Sequence, residues 1–85
     1  MIEPMLVLST GNLTFDTCNR YLKQAHHAVF QKRDYGWFVY VIETGQGEIP
    51  ADLCACMALA RRRRCMWIMF DRDAPAADEL PSYDW

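Results

Sequence analysis

Two stretches of this chain, Trp37-Phe38-Val39-Tyr40-Val41-Ile42 and Cys65-Met66-Trp67-Ile68-Met69-Phe70, are apolar at every position. Aromatic and β-branched side chains suit a pleated surface, so both stretches predict strands. Successive side chains of a strand point to opposite faces, and a strand that is apolar throughout needs cover on both. Any fold for this sequence must therefore hide two faces of a sheet, and 85 residues leave little chain with which to do it. A domain of this size buries only about 60 to 65% of the surface that its unfolded chain exposes.

The rest of the chain supplies two helical patterns and two more strands. Met5-Leu6-Val7-Leu8-Ser9-Thr10 reads as a buried strand closed by the turn residues Gly11-Asn12. Thr14 stands where a helix N-cap belongs, with Asp16 in the first turn, and predicts a helix to about Ala25. Its inward stripe would be Phe15, Cys18, Tyr21 or Leu22 and Ala25, with Arg20, Lys23 and Gln24 in water. Ala28-Val29-Phe30-Gln31 is a shorter strand signal, turned by Lys32-Arg33-Asp34-Tyr35-Gly36 into the aromatic run. After Thr44-Gly45-Gln46-Gly47, Pro50 suits a helix start, and a second helix is expected from about Ala51 into the arginine block, burying Leu53, Cys56 or Met57 and Ala60.

The order β-α-β-β-α-β predicts an α+β fold of the ferredoxin-like kind, a four-stranded sheet with two helices on one face. Residues 1–85 form one domain, and the irregular acidic tail 74–85 is expected to dock on it through Leu80, Tyr83 and Trp85. The second sheet face then requires the tail, a second copy of the chain or a partner protein as cover, because a large exposed apolar patch marks an interface.

Composition narrows the partners. The net charge of −2 is too small to suggest a general nucleic-acid binder or a mimic of DNA, but the charge is polarised between the block Arg61, Arg62, Arg63, Arg64 and the acids Asp71, Asp73, Asp78, Glu79 and Asp84. Met1-Ile2-Glu3-Pro4 lacks the pattern of a secretory leader, and no apolar run approaches the ~18 residues of a membrane span. A cytoplasmic location without membrane contact is expected, with Cys18, Cys54, Cys56 and Cys65 as thiols.

Candidate chemistry is sparse. Cys54 and Cys56, two apart on a helix, point about 200° away from one another and do not share a metal. His26 and His27 have no further ligands at fixed spacing. Asp71-Arg72-Asp73, just past a strand end, is the one enzyme-like feature, since paired carboxylates could hold a divalent cation for hydrolysis; a solvated turn is the commoner use of this pattern. Tyr35 and Trp37 lie where RNA-recognition domains carry base-stacking aromatics, although Asp34 replaces the expected glycine and Leu6-Val7-Leu8 has no matching aromatic.

Four segments carry a resemblance: Leu8-Ser9-Thr10-Gly11-Asn12-Leu13-Thr14, Tyr35-Gly36-Trp37-Phe38-Val39-Tyr40-Val41, Cys65-x-Trp67-Ile68-Met69-Phe70-Asp71-x-Asp73 and Leu80-Pro81-x-Tyr83-x-Trp85. In them the chain resembles an uncharacterised family of small proteins from plasmids, prophages and integrative elements of proteobacteria. It departs from that family at Asn12, in place of a histidine, and at Arg64, in place of a helix-ending glycine. The resemblance implies a bacterial mobile-element setting, and anti-CRISPR proteins are similar in size, solitary domain and lack of catalytic motifs.

The expected function is accordingly non-enzymatic. It is inhibition of a host protein or nucleoprotein complex, such as a CRISPR effector, by protein contact, with a homodimer through the open sheet face as a further expected association. The expected contact residues are Tyr35, Trp37, Arg61, Arg62, Arg63, Arg64, Asp71, Asp73, Tyr83 and Trp85, with Trp37, Trp67 or Trp85 as aromatic anchors. No catalytic residue, metal or cofactor is expected. The alternatives are a single-stranded nucleic-acid module using Tyr35 and Trp37, and a metal-dependent hydrolase at Asp71 and Asp73.

Overall fold

The structure, a computed structural model, describes residues 4–24, 29–32, 36–41 and 49–83, with backbone alone for 29–32. Strands β1 (Met5–Ser9), β2 (Val29–Lys32), β3 (Gly36–Tyr40) and β4 (Trp67–Asp71) are joined by two helical segments. The body of the sheet is the mixed trio β1-β4-β3, and β2 pairs with the outer side of β3. β4 runs parallel to β1, with Leu6 opposite Ile68 and Leu8 opposite Phe70. It runs antiparallel to β3, with Trp37 opposite Phe70 and Val39 opposite Ile68.

This order corrects the ferredoxin-like expectation. That topology places β1 between β4 and β3 with every neighbour antiparallel, whereas here β4 lies between β1 and β3 and is parallel to β1. The expectation required a second parallel crossover through the second helix. Instead that helix joins β3 to its immediate antiparallel neighbour. Tyr40, the last residue of β3, sits opposite Trp67 at the start of β4. The helix begins beside Thr14, which follows the far end of β1. Val41 and the start of the helix therefore lie toward opposite ends of the sheet.

The first helical segment opens as expected, with the Thr14 hydroxyl oxygen accepting from the Thr17 N–H at 3.2 Å. It then departs from α geometry. Thr17–Tyr21 is a π-helix, in which the Leu22 N–H reaches the Thr17 carbonyl, and α1 is only Leu22–Gln24. The wider turn shifts the inward stripe, because five residues rather than four separate bonded groups. Cys18 and Leu22 are buried as expected, but Phe15 is 50% exposed and Thr17 is buried in its stead.

Helix α2 (Ala51–Arg62) follows Pro50 and ends in the arginine block. Its buried side is Leu53, Cys56, Met57, Leu59 and Ala60, wider than the expected stripe. These side chains meet Leu8, Leu13, Cys18, Leu22, Trp37, Val39, Ile68 and Phe70 in one cluster, so both helical segments cover the same sheet face. Each fully buried Leu, Ile or Phe contributes about 1.5 to 3 kcal/mol. Gly36 is required where β3 crosses β4, since a Cβ there would lie 1.6 Å from the Phe70 carbonyl oxygen.

The tail is held by a residue that propensity alone marks only as a turn. Asn12 is 1% exposed. Its Nδ2 donates to the carbonyls of Pro81 at 2.9 Å and Ala77 at 3.4 Å, and its Oδ1 accepts from the Ala77 N–H at 3.0 Å. The Tyr83 N–H donates to the Gly11 carbonyl at 2.8 Å, and Glu79 pairs with Arg63. Ala77 and Leu80 pack against the buried cluster. The tail thus closes the helix side of the sheet.

Candidate interaction surface

Strand register decides what the second face carries. With Leu6, Leu8, Trp37, Val39, Ile68 and Phe70 turned toward the helices, alternation turns Met5, Val7, Phe38, Tyr40, Trp67 and Met69 the other way. Across the three strands β1, β4 and β3 they form two rungs, Met5-Trp67-Tyr40 and Val7-Met69-Phe38, followed by Ser9-Asp71-Gly36, and the register of β2 places Phe30 beside Phe38 and Lys32 beside Gly36. Met5 and Val7 are 42% and 50% exposed, while Phe38, Tyr40, Trp67 and Met69 are half-buried. The Tyr40 and Trp67 rings meet edge to face, 5.0 Å apart at 71°. Edge-to-face geometry places the positive ring edge of one against the negative face of the other, which fixes both rings. β1 is thus not the wholly buried strand expected, because it lies at the sheet edge with one face bare.

Charged residues stand at both ends of the sheet. At the end where β4 begins stand Arg61, Arg62, Arg63 and Arg64, all exposed. Arg64 has φ 58°, a left-handed backbone that side chains other than glycine adopt at a cost of about 1 to 2 kcal/mol. The conformation closes α2. The Cys65 N–H donates to the Ala60 carbonyl at 2.8 Å and the Arg64 N–H to the Arg61 carbonyl at 3.0 Å, the paired bonds of a Schellman cap. Arg62 and Arg64 make no side-chain hydrogen bond or ion pair with any described residue. At the opposite end Asp71 Oδ1 accepts from the Asp73 N–H at 2.9 Å, a self-bonded turn, with Asp73 exposed and Arg72 between.

The expected contact residues therefore divide. Arg61 to Arg64, Asp73 and Tyr83 are exposed, Asp71 is half-buried, and Tyr35 and Trp85 lie outside the described residues, as do His26 and His27. Trp37 is corrected: at 7% exposure it belongs to the helix-side core, where its ring reaches neither a base nor a partner. Burial pushes the Cys18 thiol above the ordinary thiol range, an effect that the Trp37 side chain partly offsets. The Cys56 thiol is pushed up to about 12, chiefly by burial and secondarily by the charge of Asp52. Cys54 donates to the Ile49 carbonyl at 3.5 Å and Cys65 to the Arg63 carbonyl at 3.6 Å. Among the described residues no three His, Cys, Asp or Glu side chains gather as a metal site.

A polar cleft of about 500 Å³ lies between the π-helical turn and the start of α2, lined by Asp16, Arg20, Tyr21 and Gln24. Asp52 at its floor is already engaged, accepting from the Thr14 N–H at 2.8 Å and the Thr17 hydroxyl at 2.8 Å. Arg20 is likewise paired with Asp16 at 3.2 Å. The Asp52 bonds join the starts of the two helical segments, and the Arg20–Asp16 pair is an exposed contact within the first.

Sequence reading missed the roles of Asn12 and Asp52. An Asn after a strand and an acid in a first turn are signals of local capping, and neither indicates the distant segment that is bound. No described helix is long and apolar enough to cross a membrane. A family model described as Family of unknown function (DUF5983) C-terminal domain matches residues 5–85. No curated protein and no solved structure matches.

Proposed function

The chain belongs to the DUF5983 C-terminal domain family, and from that premise we propose that it is a non-enzymatic binding protein that works through the second face of its sheet. The observation that carries this reading is the partly exposed apolar surface of Met5, Val7, Phe38, Tyr40, Trp67 and Met69, on the side away from both helical segments. Contiguous apolar surface bounded by charge is the composition of a protein contact, with an aromatic anchor at its centre and arginines at its rim. Trp67 supplies the anchor and Arg62 and Arg64 the rim.

The setting proposed is the cytoplasm of a bacterial host, where a protein of a mobile element blocks a defence nucleoprotein such as a CRISPR effector by occupying its surface. The resemblance to small mobile-element proteins supports that setting. The test is phage plating on a bacterium with active CRISPR immunity. Expression of the protein should restore plaques, and Trp67→Asp, which puts a charge at the anchor, should abolish the effect while the variant still folds. Undiminished immunity across the principal effector types would overturn the inhibitor reading.

A further inference from the structure

We infer that this chain pairs with a second copy of itself along the outer edge of β1, antiparallel and centred on Leu6, so that the two sheets become one. The inference stands apart from the proposed target contact, since it uses a strand edge rather than a sheet face. The order β1-β4-β3-β2 leaves β1 and β2 at the edges. β2 carries Lys32 at its end, opposite Gly36, and an edge lysine guards against strand addition. β1, Met5-Leu6-Val7-Leu8-Ser9, has no charge and no proline, and its unbroken register with β4 has no bulge.

The bonds of β1 to β4 decide which of its backbone groups face outward. The Pro4 carbonyl accepts from the Met66 N–H at 3.0 Å and the Trp67 N–H at 3.4 Å. In a parallel ladder alternate residues turn their N–H and C=O to the neighbour, and those between turn theirs away. Leu6, opposite Ile68, and Leu8, opposite Phe70, thus follow Pro4 in bonding β4, and Met5 and Val7 offer their groups to the outer side. No described residue hydrogen-bonds them there. Met5 and Val7 are 42% and 50% exposed, whereas Ser9, the next outward residue, is 7% exposed, beside the turn whose Gly11 carbonyl holds Tyr83 of the tail. The open edge therefore ends at Val7. Its shortness selects the partner. The N–H and C=O of Met5 and Val7 are too few to order a flexible peptide, which would lose its backbone freedom in exchange. A strand already fixed in a sheet loses none, and β1 of a second copy is such a strand, with no charge to bury. A two-fold axis normal to the sheets at Leu6 sets Met5 opposite Val7 of the second copy, and Val7 opposite its Met5, each pair exchanging both bonds while the covered Ser9 stays outside. The axis also keeps like faces on one side. The exposed Met5 and Val7 side chains of the two copies then become cross-strand neighbours, and Leu6 meets Leu6 on the helix side.

The test is sedimentation equilibrium of the whole chain from 1 µM to 1 mM, in reducing buffer, read beside backbone amide exchange at low and high concentration. The wild type should form a reversible dimer in the upper part of this range. Exchange of the Met5 and Val7 amides should slow about fivefold there, while the Leu6 and Leu8 amides, already bonded to β4, change little. Val7→Pro removes an outward N–H and no bond to β4, so it should weaken association about tenfold or more while the monomer still folds. Val7→Lys keeps the backbone and adds the guard that β1 lacks, and should weaken association to a similar degree. A wild type that stays monomeric to 1 mM overturns the inference. So does a dimer whose Met5 and Val7 amides exchange as fast as the monomer's, or one that persists through both Val7 variants, because either association uses another surface. Phage plating reads the proposed target contact separately: protection by a chain found to be monomeric sinks the edge pairing and leaves that contact standing.

Discussion

Replacing Asn12 with Ala removes a side chain that ties the tail to the end of β1. Three hydrogen bonds go with it, to the Pro81 carbonyl at 2.9 Å, the Ala77 N–H at 3.0 Å and the Ala77 carbonyl at 3.4 Å. A hydrogen bond contributes about 1 kcal/mol net, and the longest of the three contributes least. The expected loss is about 2 to 3 kcal/mol, a large part of the roughly 5 to 15 kcal/mol that holds a small domain together. Urea unfolding at a fixed protein concentration measures it, and limited proteolysis measures where it falls, with cleavage within 74–83 accelerated. Asn12→Asp gives a signed control. The new carboxylate keeps the acceptor for the Ala77 N–H but faces the carbonyls of Ala77 and Pro81, which raises its folded pKa above the ordinary ~3.9. A raised pKa contributes stability at low pH that is lost as pH rises through the folded value, so Asn12→Asp should cost less in acid than at pH 7, each compared with the wild type. If Asn12→Ala shifts stability by less than about 0.5 kcal/mol and leaves the tail as resistant as before, the clamp is not what the hydrogen bonds make it.

Two further outcomes follow from other parts of the fold. Arg64→Gly relieves a left-handed backbone at φ 58° while keeping the Schellman bonds of Arg64 and Cys65. It should stabilise the fold by about 1 kcal/mol, part of the relief being offset by glycine's freedom in the unfolded chain, as read by urea denaturation. The buried Cys56 thiol, with its pKa raised from 9.0 to about 12, is protonated when folded in a range where the unfolded chain loses its proton. Its contribution is complete below pH 9 and is lost as pH rises from there toward about 12, with Cys18 acting in the same direction; unfolding midpoints from pH 7 to 11 should decline on the alkaline side, and less so for Cys56→Ala relative to its own neutral value.

Local chemistry was legible in this sequence, and the pairing of distant segments was not. Thr14 caps its helix, Pro50 precedes α2, and the alternation in β3 and β4 buries Val39, Ile68 and Phe70, because each depends on residues close in the chain. Strand order depends on which neighbours meet, and β1 has no sequence mark that distinguishes pairing with β4 in parallel from pairing with both β3 and β4. The π turn at Thr17–Tyr21 was hidden for a related reason. Thr17 is drawn inward by a hydroxyl bond to Asp52, thirty-five positions away, and a 3.6-residue pattern contains no such information. For the contact surface, the surplus of apolar strand positions was plain, but Trp37 and Trp67 look alike in sequence. Only the register, with Trp37 opposite Phe70 and Tyr40 opposite Trp67, assigns one to the core and the other to the second face.

The observed strand order matters to that face more than to stability. Had β1 lain between β4 and β3, Trp67 and Met69 would sit on an edge strand with Met5 and Val7 separating them from Tyr40 and Phe38. With β4 central, Trp67 lies between Met5 and Tyr40, and Met69 between Val7 and Phe38, so the apolar side chains of three strands are contiguous. The same placement brings the Tyr40 and Trp67 rings to 5.0 Å, holding the largest side chain of the face in one orientation before anything binds. A rigid aromatic loses little entropy on association, which is why such residues dominate contact energies. The tail strengthens the consequence by its position, since Asn12 holds it against the helix-side cluster, and Ala77 and Leu80 are spent there. The described part of the tail is thus committed to the helix side, and Met5 and Val7 remain exposed at the edge of the aromatic pair.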